Sequence, residues 1–255
     1  QASLRGAART GIPAGPLGDL ATEAAAGLDV RTQTRAQQIK QVSSGRLVLE
    51  CADDVADFDA LVLTTSAAEA GRLTVGFATP AERDFLASVR SAPLITLNVA
   101  LSRPLTGLPQ LVRVPHVEAS PIEVMLVEPG VPGGRVRQGG SRVTLSARQS
   151  WAEQNACSDD DQVEKKLLAS LERIFPSLGR SLLGAALHRD PVGVPRFEVG
   201  AYRALARFQR VQQDRRQLGR RLYFAGDYLA GPRFEDAVMS GTRAAAQIVS
   251  DLGSR

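Results

Sequence analysis

The 255-residue chain is poor in the side chains that ligate metals or cross-link a fold. It has two cysteines, Cys51 and Cys157, far apart and in no C-x-x-C or metal-type spacing. A disulfide-dense scaffold and a zinc ribbon are excluded, and two free thiols in a reducing, cytoplasmic setting are expected. The two histidines, His116 and His188, lie in no metal spacing and beside no Ser or Cys nucleophile motif, so structural or surface roles are expected of them. No apolar run approaches the roughly 18 residues of a membrane-spanning helix, and none is expected. The lone Trp151 stands in a polar stretch after a strand, where packing is the expected role. Lysine is scarce beside arginine, which carries most of the +4 net charge. Because the arginines run along the whole chain, we read them as composition bias rather than as a polyanion patch. Arg203, Arg207 and Arg210 share one predicted helical face without interleaved aromatics, the pattern of a solvated surface and not of a nucleic-acid groove.

What the chain does have is apolar patterning, with 44% hydrophobic residues, enough for a substantial core. A short Ala-rich helix over 21–27 is predicted, then strands over 28–34, 46–50 and 58–65, the last a continuous apolar run (FDALVLTT) suited to burial on both faces. Thr79-Pro80-Ala81-Glu82 combines an N-cap, a proline at the first helical position and a capping-box acid, which predicts a helix over 80–90. Ile95, Leu97, Val99 and Leu101 alternate with small or polar residues. Ile122, Val124 and Leu126, then Val143 and Leu145, continue the pattern of an antiparallel sheet with one wetter face.

Ser158 followed by three aspartates predicts the start of a helix whose buried stripe is Val163, Leu167, Leu171, Ile174 and Phe175. A basic helix over 201–217 follows, then a strand over 222–225. The last predicted helix, over 236–251, carries an apolar stripe of Val238, Ala245, Ile248, Val249 and Leu252. The expected fold class is mixed α/β: a discontinuous first domain (1–75 and 191–255) with an antiparallel-sheet domain (76–190) inserted in it.

The stretch LYFAGDYLAGPRFEDAVMSGTRAAA, 222–246, holds the most chemistry. Gly226 permits a tight turn after a strand, and Asp227 stands where a carboxylate can accept hydrogen bonds from sugar or ribityl hydroxyls at a sheet's carboxyl edge. The following helix opens near Glu235 to Val238, and its free N–H groups and dipole favour a carbonyl oxygen or developing anion. An ordinary strand-loop-helix unit with a small-residue packing face accounts for the same residues without a ligand.

This stretch resembles the C-terminal flavin motif of the FAD-dependent superfamily of amine oxidases, protoporphyrinogen oxidases and phytoene desaturases. LDVRTQTRAQQI (28–39) and FDALVLTTSAAEAGRL (58–73) are similar to two further segments of that superfamily, in the expected order. LITLNVALSRPL (94–105) and HRDPVGVPRFEVGAYR (188–203) resemble the protoporphyrinogen-oxidase branch. The resemblance implies a glutathione-reductase-like FAD domain and oxidation of a C–H bond, most simply as hydride transfer to flavin. It implies that Ala36 meets the adenine through a backbone group, that Thr64 and Thr65 lie beside the cofactor, and that Gly226 and Asp227 contact its phosphate and ribityl part. Phe234, Ala237 and Val238 would offer backbone groups to the flavin ring.

Departures from the superfamily's pattern are informative. Amine oxidases usually carry a Lys where this chain has Thr96, and an aromatic cage residue where it has Arg233; the Trp often found near the position of Asp190 is also missing. The desaturase and porphyrinogen-oxidase branches are therefore favoured, with Arg233 a candidate to bind a substrate carboxylate, or else a salt-bridge partner of Glu235 or Asp236. The G-x-G-x-x-G turn that would hold the pyrophosphate does not occur; Gly11, Gly15 and Gly18 are interrupted by prolines. The chain also opens at Gln1, so an N-terminal FAD-binding segment or a separate chain is the expected partner, alongside a small-molecule substrate. The alternative is a cofactor-free structural or regulatory subunit that completes a partner chain.

Overall fold

The computed structural model describes residues 18–253 except 43, 44, 53, 119, 132, 133, 135 and 177. In chain order the elements are α1 (Gly18–Ala24), β1 (Ala36–Gln41), β2 (Leu47–Cys51), β3 (Val55–Phe58), β4 (Leu61–Leu63), α2 (Ala67–Leu73), α3 (Pro80–Ser88) and β5 (Arg90–Leu101). They continue as β6 (Leu111–Arg113), β7 (Ile122–Pro129), β8 (Ser141–Ala147), α4 (Gln149–Gln154), α5 (Asp160–Ile174), β9 (Leu182–Arg196), α6 (Ala201–Gln217), β10 (Leu222–Phe224) and α7 (Phe234–Gly253). The described residues pack as two compact units, one of residues 18–30 and Ile95–Arg189, the other of Arg31–Leu94 and residues 190–253.

The first unit is a five-stranded sheet in the order β6-β7-β8-β5-β9 with α5 on one face. Alternation along β5 and β8 sends Ile95, Leu97, Val99, Val143 and Leu145 inward, as their spacing predicts. In β7 the inward residues are Ile122, Met125 and Val127, not Val124 and Leu126 as the simple alternation has it. The pairing shifts register between Ile122 and Val124, and one extra residue exchanges the two faces beyond it. α5 buries Val163, Leu167 and Leu171. Its N-cap is Asp159, whose carboxylate accepts from the N–H groups of Asp161 and Gln162, one residue beyond the predicted Ser158.

β9 and α4 have no counterpart in the sequence reading. Pro191 and Pro195 argue against a strand because neither has an N–H to give, but β9 is an edge strand, with one side free of the ladder. Trp151 sits on α4, partly packed against this unit's core.

The second unit holds a meander, β1-β2-β3, and a parallel pair, β4-β10. The strand predicted over 28–34 is not formed: Leu28 and Val30 are mostly exposed, and strand structure begins at Ala36. The run predicted over 58–65 divides at a bend at Asp59, Phe58 ending β3 in one sheet while Leu61–Leu63 forms β4 in another. Leu61, Val62 and Leu63 pair in parallel with Leu222, Tyr223 and Phe224. One side of this pair packs with Phe85 and Phe208, stacked at 4.3 Å between ring centroids; the other packs with Ala244 of α7.

α7 is oriented differently from its predicted stripe. Ser240 and Ala244 are its buried residues, whereas Val238, Met239 and Val249 are 51%, 55% and 72% exposed. Small side chains and Ile248 pack α7 against the strand pair, whereas Val238, Met239 and Val249 point away from it.

A buried ion pair fastens α3 to the segment between α6 and β10. Glu82 and Arg220 are 1% and 3% exposed. The Glu82 carboxylate accepts from Arg220, from Gln212 Nε2 at 2.5 Å and from the Thr79 N–H at 2.8 Å, completing the predicted capping box. Arg220 is thus a buried, paired charge. Burial opposes the charge on Glu82, but Arg220 and the cap bonds outweigh it and hold the carboxyl below its ordinary 4.5.

Removing one partner leaves the other charge buried, so Glu82→Gln and Arg220→Met each should cost about 3–5 kcal/mol in urea unfolding. Because Glu82 titrates lower folded than unfolded, its contribution is complete above pH 4.5 and fades as pH falls through the folded value. The stability profile of Glu82→Gln should be flatter than wild type in that acid window.

Candidate functional site: the carboxyl edge of the parallel pair

Parallel strands end at the same edge of a sheet, so the register of Leu63 with Phe224 sets the residues just beyond the two strands side by side. The Ala225 N–H extends the ladder by donating to the Leu63 carbonyl at 2.9 Å. Thr64 and Thr65 leave β4, and Gly226 and Asp227 leave β10, at this carboxyl edge, where open α/β sheets bind ligands. Thr64 is exposed; Thr65 is half-buried and its Oγ1 donates to the Ser66 carbonyl at 3.3 Å.

Gly226 occupies φ 155°, ψ 169°, backbone reserved almost wholly for glycine. A Cβ there would meet the ring of Tyr228 at 2.9 Å. Its N–H donates to Ser240 Oγ at 3.1 Å, which ties the end of β10 to α7. Asp227 opens a single 3-10 turn, its Oδ1 accepting from the Tyr228 N–H at 2.8 Å, so the carboxylate is oriented while the residue stays half-exposed.

The first turn of α7 carries Phe234, Ala237 and Val238. Phe234 is 72% and Val238 51% exposed; Ala237 is half-buried, and its N–H donates to the Arg233 carbonyl at 3.2 Å. Arg233 holds Asp236 through its backbone N–H at 3.1 Å, Nε at 2.9 Å and Nη2 at 2.9 Å. This pairing keeps Asp236 below and Arg233 above its ordinary value. The salt-bridge alternative for Arg233 is therefore the one present, with an exposed side chain.

Ala36 begins β1 at a register shift opposite β2. The guanidinium of Arg72 on α2 donates to the carbonyls of Ala36 at 2.8 Å and Gln37 at 2.7 Å, which fastens this strand end to the helix that comes after Thr65. Two contributors are not legible in the sequence. Ser240 is one more small residue until its Oγ meets the Gly226 N–H, and nothing in the spacing singles out Tyr228 although it directly succeeds Gly226-Asp227.

His116 and His188 are both exposed. Among the described residues no group of three or more His, Cys, Asp or Glu side chains could hold a metal ion. No described helix is long and apolar enough to cross a membrane.

A Gly-Asp strand end, the adjacent strand end carrying Thr64 and Thr65, and helix α7, tied to Gly226 through Ser240, thus share one edge. Residues 3–249 match the family described as flavin containing amine oxidoreductase, and this chain belongs to that family of FAD-dependent oxidoreductases.

A protein assigned as a protoporphyrinogen oxidase from Exiguobacterium sp. 255-15 superposes with TM-score 0.75 at 16% identity, covering 92% of this chain and 51% of that one. Cyclohexylamine oxidase from Brevibacterium oxydans IH-35A gives TM-score 0.68 at 13% identity, covering 86% and 48%. Putrescine oxidase bound to putrescine gives 0.68 at 13%, covering 91% and 51%. The chain thus spans about half the length of these solved relatives. No curated protein matches it.

Gly226→Ala places a Cβ against a clamped ring in a conformation that alanine avoids, and should lower stability by about 1–3 kcal/mol. Thermal unfolding checks this; an unchanged midpoint would contradict the assigned backbone geometry.

Proposed function

We propose that this chain supplies the flavin-ring and ribityl half of an FAD seat in an oxidoreductase that oxidises a C–H bond of an organic substrate. The observation that carries this reading is the shared carboxyl edge, where Thr64, Thr65, Gly226 and Asp227 gather with α7 tied to them through Ser240. The residues fit the group: the left-handed Gly226 keeps side-chain bulk off the edge, and the oriented Asp227 carboxylate can accept from hydroxyls. Bound flavin supplies the two-electron acceptor.

In this proposal Gly226 and Asp227 hold the phosphate and ribityl part. Phe234, Ala237 and Val238 present the start of α7 to the ring, Thr64 and Thr65 flank it, and Ala36 faces the adenine. The unit of Arg31–Leu94 and residues 190–253 serves the cofactor, and the unit built on Ile95–Arg189 presents its sheet to the substrate. Thr96 in place of a lysine, and Arg233 in place of an aromatic residue, set the chemistry nearer protoporphyrinogen oxidases and desaturases than lysine-bearing amine oxidases. Such sites rely on positioning and exclusion of water more than on acid-base groups.

A pyrophosphate cradle is the part this sequence does not provide, and we assign it to an N-terminal FAD-binding segment or partner chain. Two features support that assignment. α7 exposes Phe234, Val238 and Val249, more apolar surface on one helix than a covered helix leaves bare. Among the described residues β4 pairs only with β10, which leaves its other edge open to a further strand. The same features suit the second reading, a cofactor-free subunit that completes a partner.

Titration with FAD, with and without a polypeptide carrying the glycine-rich turn, separates the two. The enzyme reading expects bound yellow flavin with quenched fluorescence. It also expects Asp227→Ala to bind about tenfold to a hundredfold more weakly, the scale of one charged hydrogen bond. A protein that stays colourless under both conditions supports the subunit reading and sinks the enzyme.

A further inference from the structure

The exposed face of α6 and the turn that leads into it lie in the second unit and take no part in the cofactor seat. Glu198 to Ala201 close a β-turn, the Ala201 N–H donating to the Glu198 carbonyl at 3.0 Å, and Gly200 at φ 93° supplies its left-handed corner. Val199 is the other central residue of that turn and is fully exposed. Phe197 and Tyr202, which flank the turn, stack with ring centroids 5.2 Å apart, and Tyr202 is 61% exposed. A single exposed valine is ordinary. This one is held at the corner of a hydrogen-bonded turn beside an aromatic pair, so the apolar tip is built and not merely left over.

The second observation is electrostatic. α6 holds five arginines and one acid, Asp214. Arg203, Arg207 and Arg210 follow at helical spacing along one exposed face, and among the described residues none of their side chains has a hydrogen-bond or ion-pair partner. Like charges at this spacing repel one another and attract an anionic counter-surface. The three line neither of the cavities beside α6, so they present a convex ridge. Leu218, the C-cap residue, is 80% exposed at the other end of the helix. Apolar side chains thus stand at both ends of a cationic ridge.

We propose that α6 and the turn before it dock the protein on an anionic phospholipid surface, with Arg203, Arg207 and Arg210 on headgroup phosphates and Val199 and Tyr202 entering the interface. Two features favour lipid over other polyanions. A nucleic-acid duplex would use the guanidiniums and leave Val199 in water. An acidic protein would have to supply a hollow for the tip, whereas a bilayer takes an apolar side chain and a tyrosine at headgroup depth wherever they land. The docking is peripheral and needs neither FAD nor a partner chain, so its test is separate from the flavin reading.

The full chain, without FAD, is sedimented with phosphatidylcholine vesicles and with vesicles that also contain phosphatidylserine. Binding to the phosphatidylserine vesicles alone is expected, and added salt should release it because exposed charges are screened. Each guanidinium near such a surface contributes about fivefold to partitioning, so Arg203→Gln, Arg207→Gln and Arg210→Gln combined should weaken binding about a hundredfold. Val199→Ser should weaken it about fivefold to tenfold at unchanged charge. Val117→Ser, at another exposed valine, in the first unit, should leave it unchanged. Val199→Trp should shift its emission to the blue on the same vesicles, which a purely electrostatic contact would not produce. All these side chains are exposed, so the circular dichroism of each variant should match wild type. No binding to either kind of vesicle, equal binding to both, binding that survives the triple substitution, or a Val199→Trp emission that does not move overturns the proposal. A DNA duplex that retains the chain while the vesicles do not also overturns it and assigns the ridge to nucleic acid.

Discussion

The parallel pairing of β4 with β10 is the contact on which the second unit depends. It joins two three-residue strands from distant parts of the chain, each too short to persist alone. Such non-local pairing costs loop-closure entropy before it returns any bonding. The burial of Leu63, Leu222 and Tyr223, and the stacking of Phe85 on Phe208, provide the compensation. Glu82 and Arg220 act at the same junction, anchoring the segment that delivers β10. The candidate site is a direct consequence, because parallel register sets Thr64 and Thr65 beside Gly226 and Asp227.

Much of this site consists of backbone held in place by side chains that would touch no ligand. Ser240 accepts from the Gly226 N–H, Asp236 accepts from the Arg233 N–H, and Arg72 gathers the carbonyls of Ala36 and Gln37. The apolar residues left exposed on α7 are the other face of the same design. The helix uses its small side chains for the approach to β10, which leaves Val238 and Val249 exposed.

Local signals are legible where the deciding physics is local. The Thr79 capping box, the α5 stripe of Val163, Leu167 and Leu171, and the span of α6 need only sequence spacing and short-range hydrogen bonds. Expectations fail where a neighbouring strand or packing face decides. Alternation in β7 breaks at a bulge, β9 tolerates two prolines because it lies at an edge, and α7 exposes Val238, Ala245 and Val249 of its predicted stripe while Ile248 packs inward.

From sequence alone come the α/β class, the family's Gly-Asp signature with its helix, and the absence of a glycine-rich turn, because each is written in residue identities at fixed spacing. Only the tertiary structure decides that Arg233 is engaged with Asp236, that Arg220 is buried on Glu82, and that the Tyr228 hydroxyl is buried without a partner among the described residues. Ion pairing and burial depend on which distant segments meet, and periodicity along a chain carries no record of that.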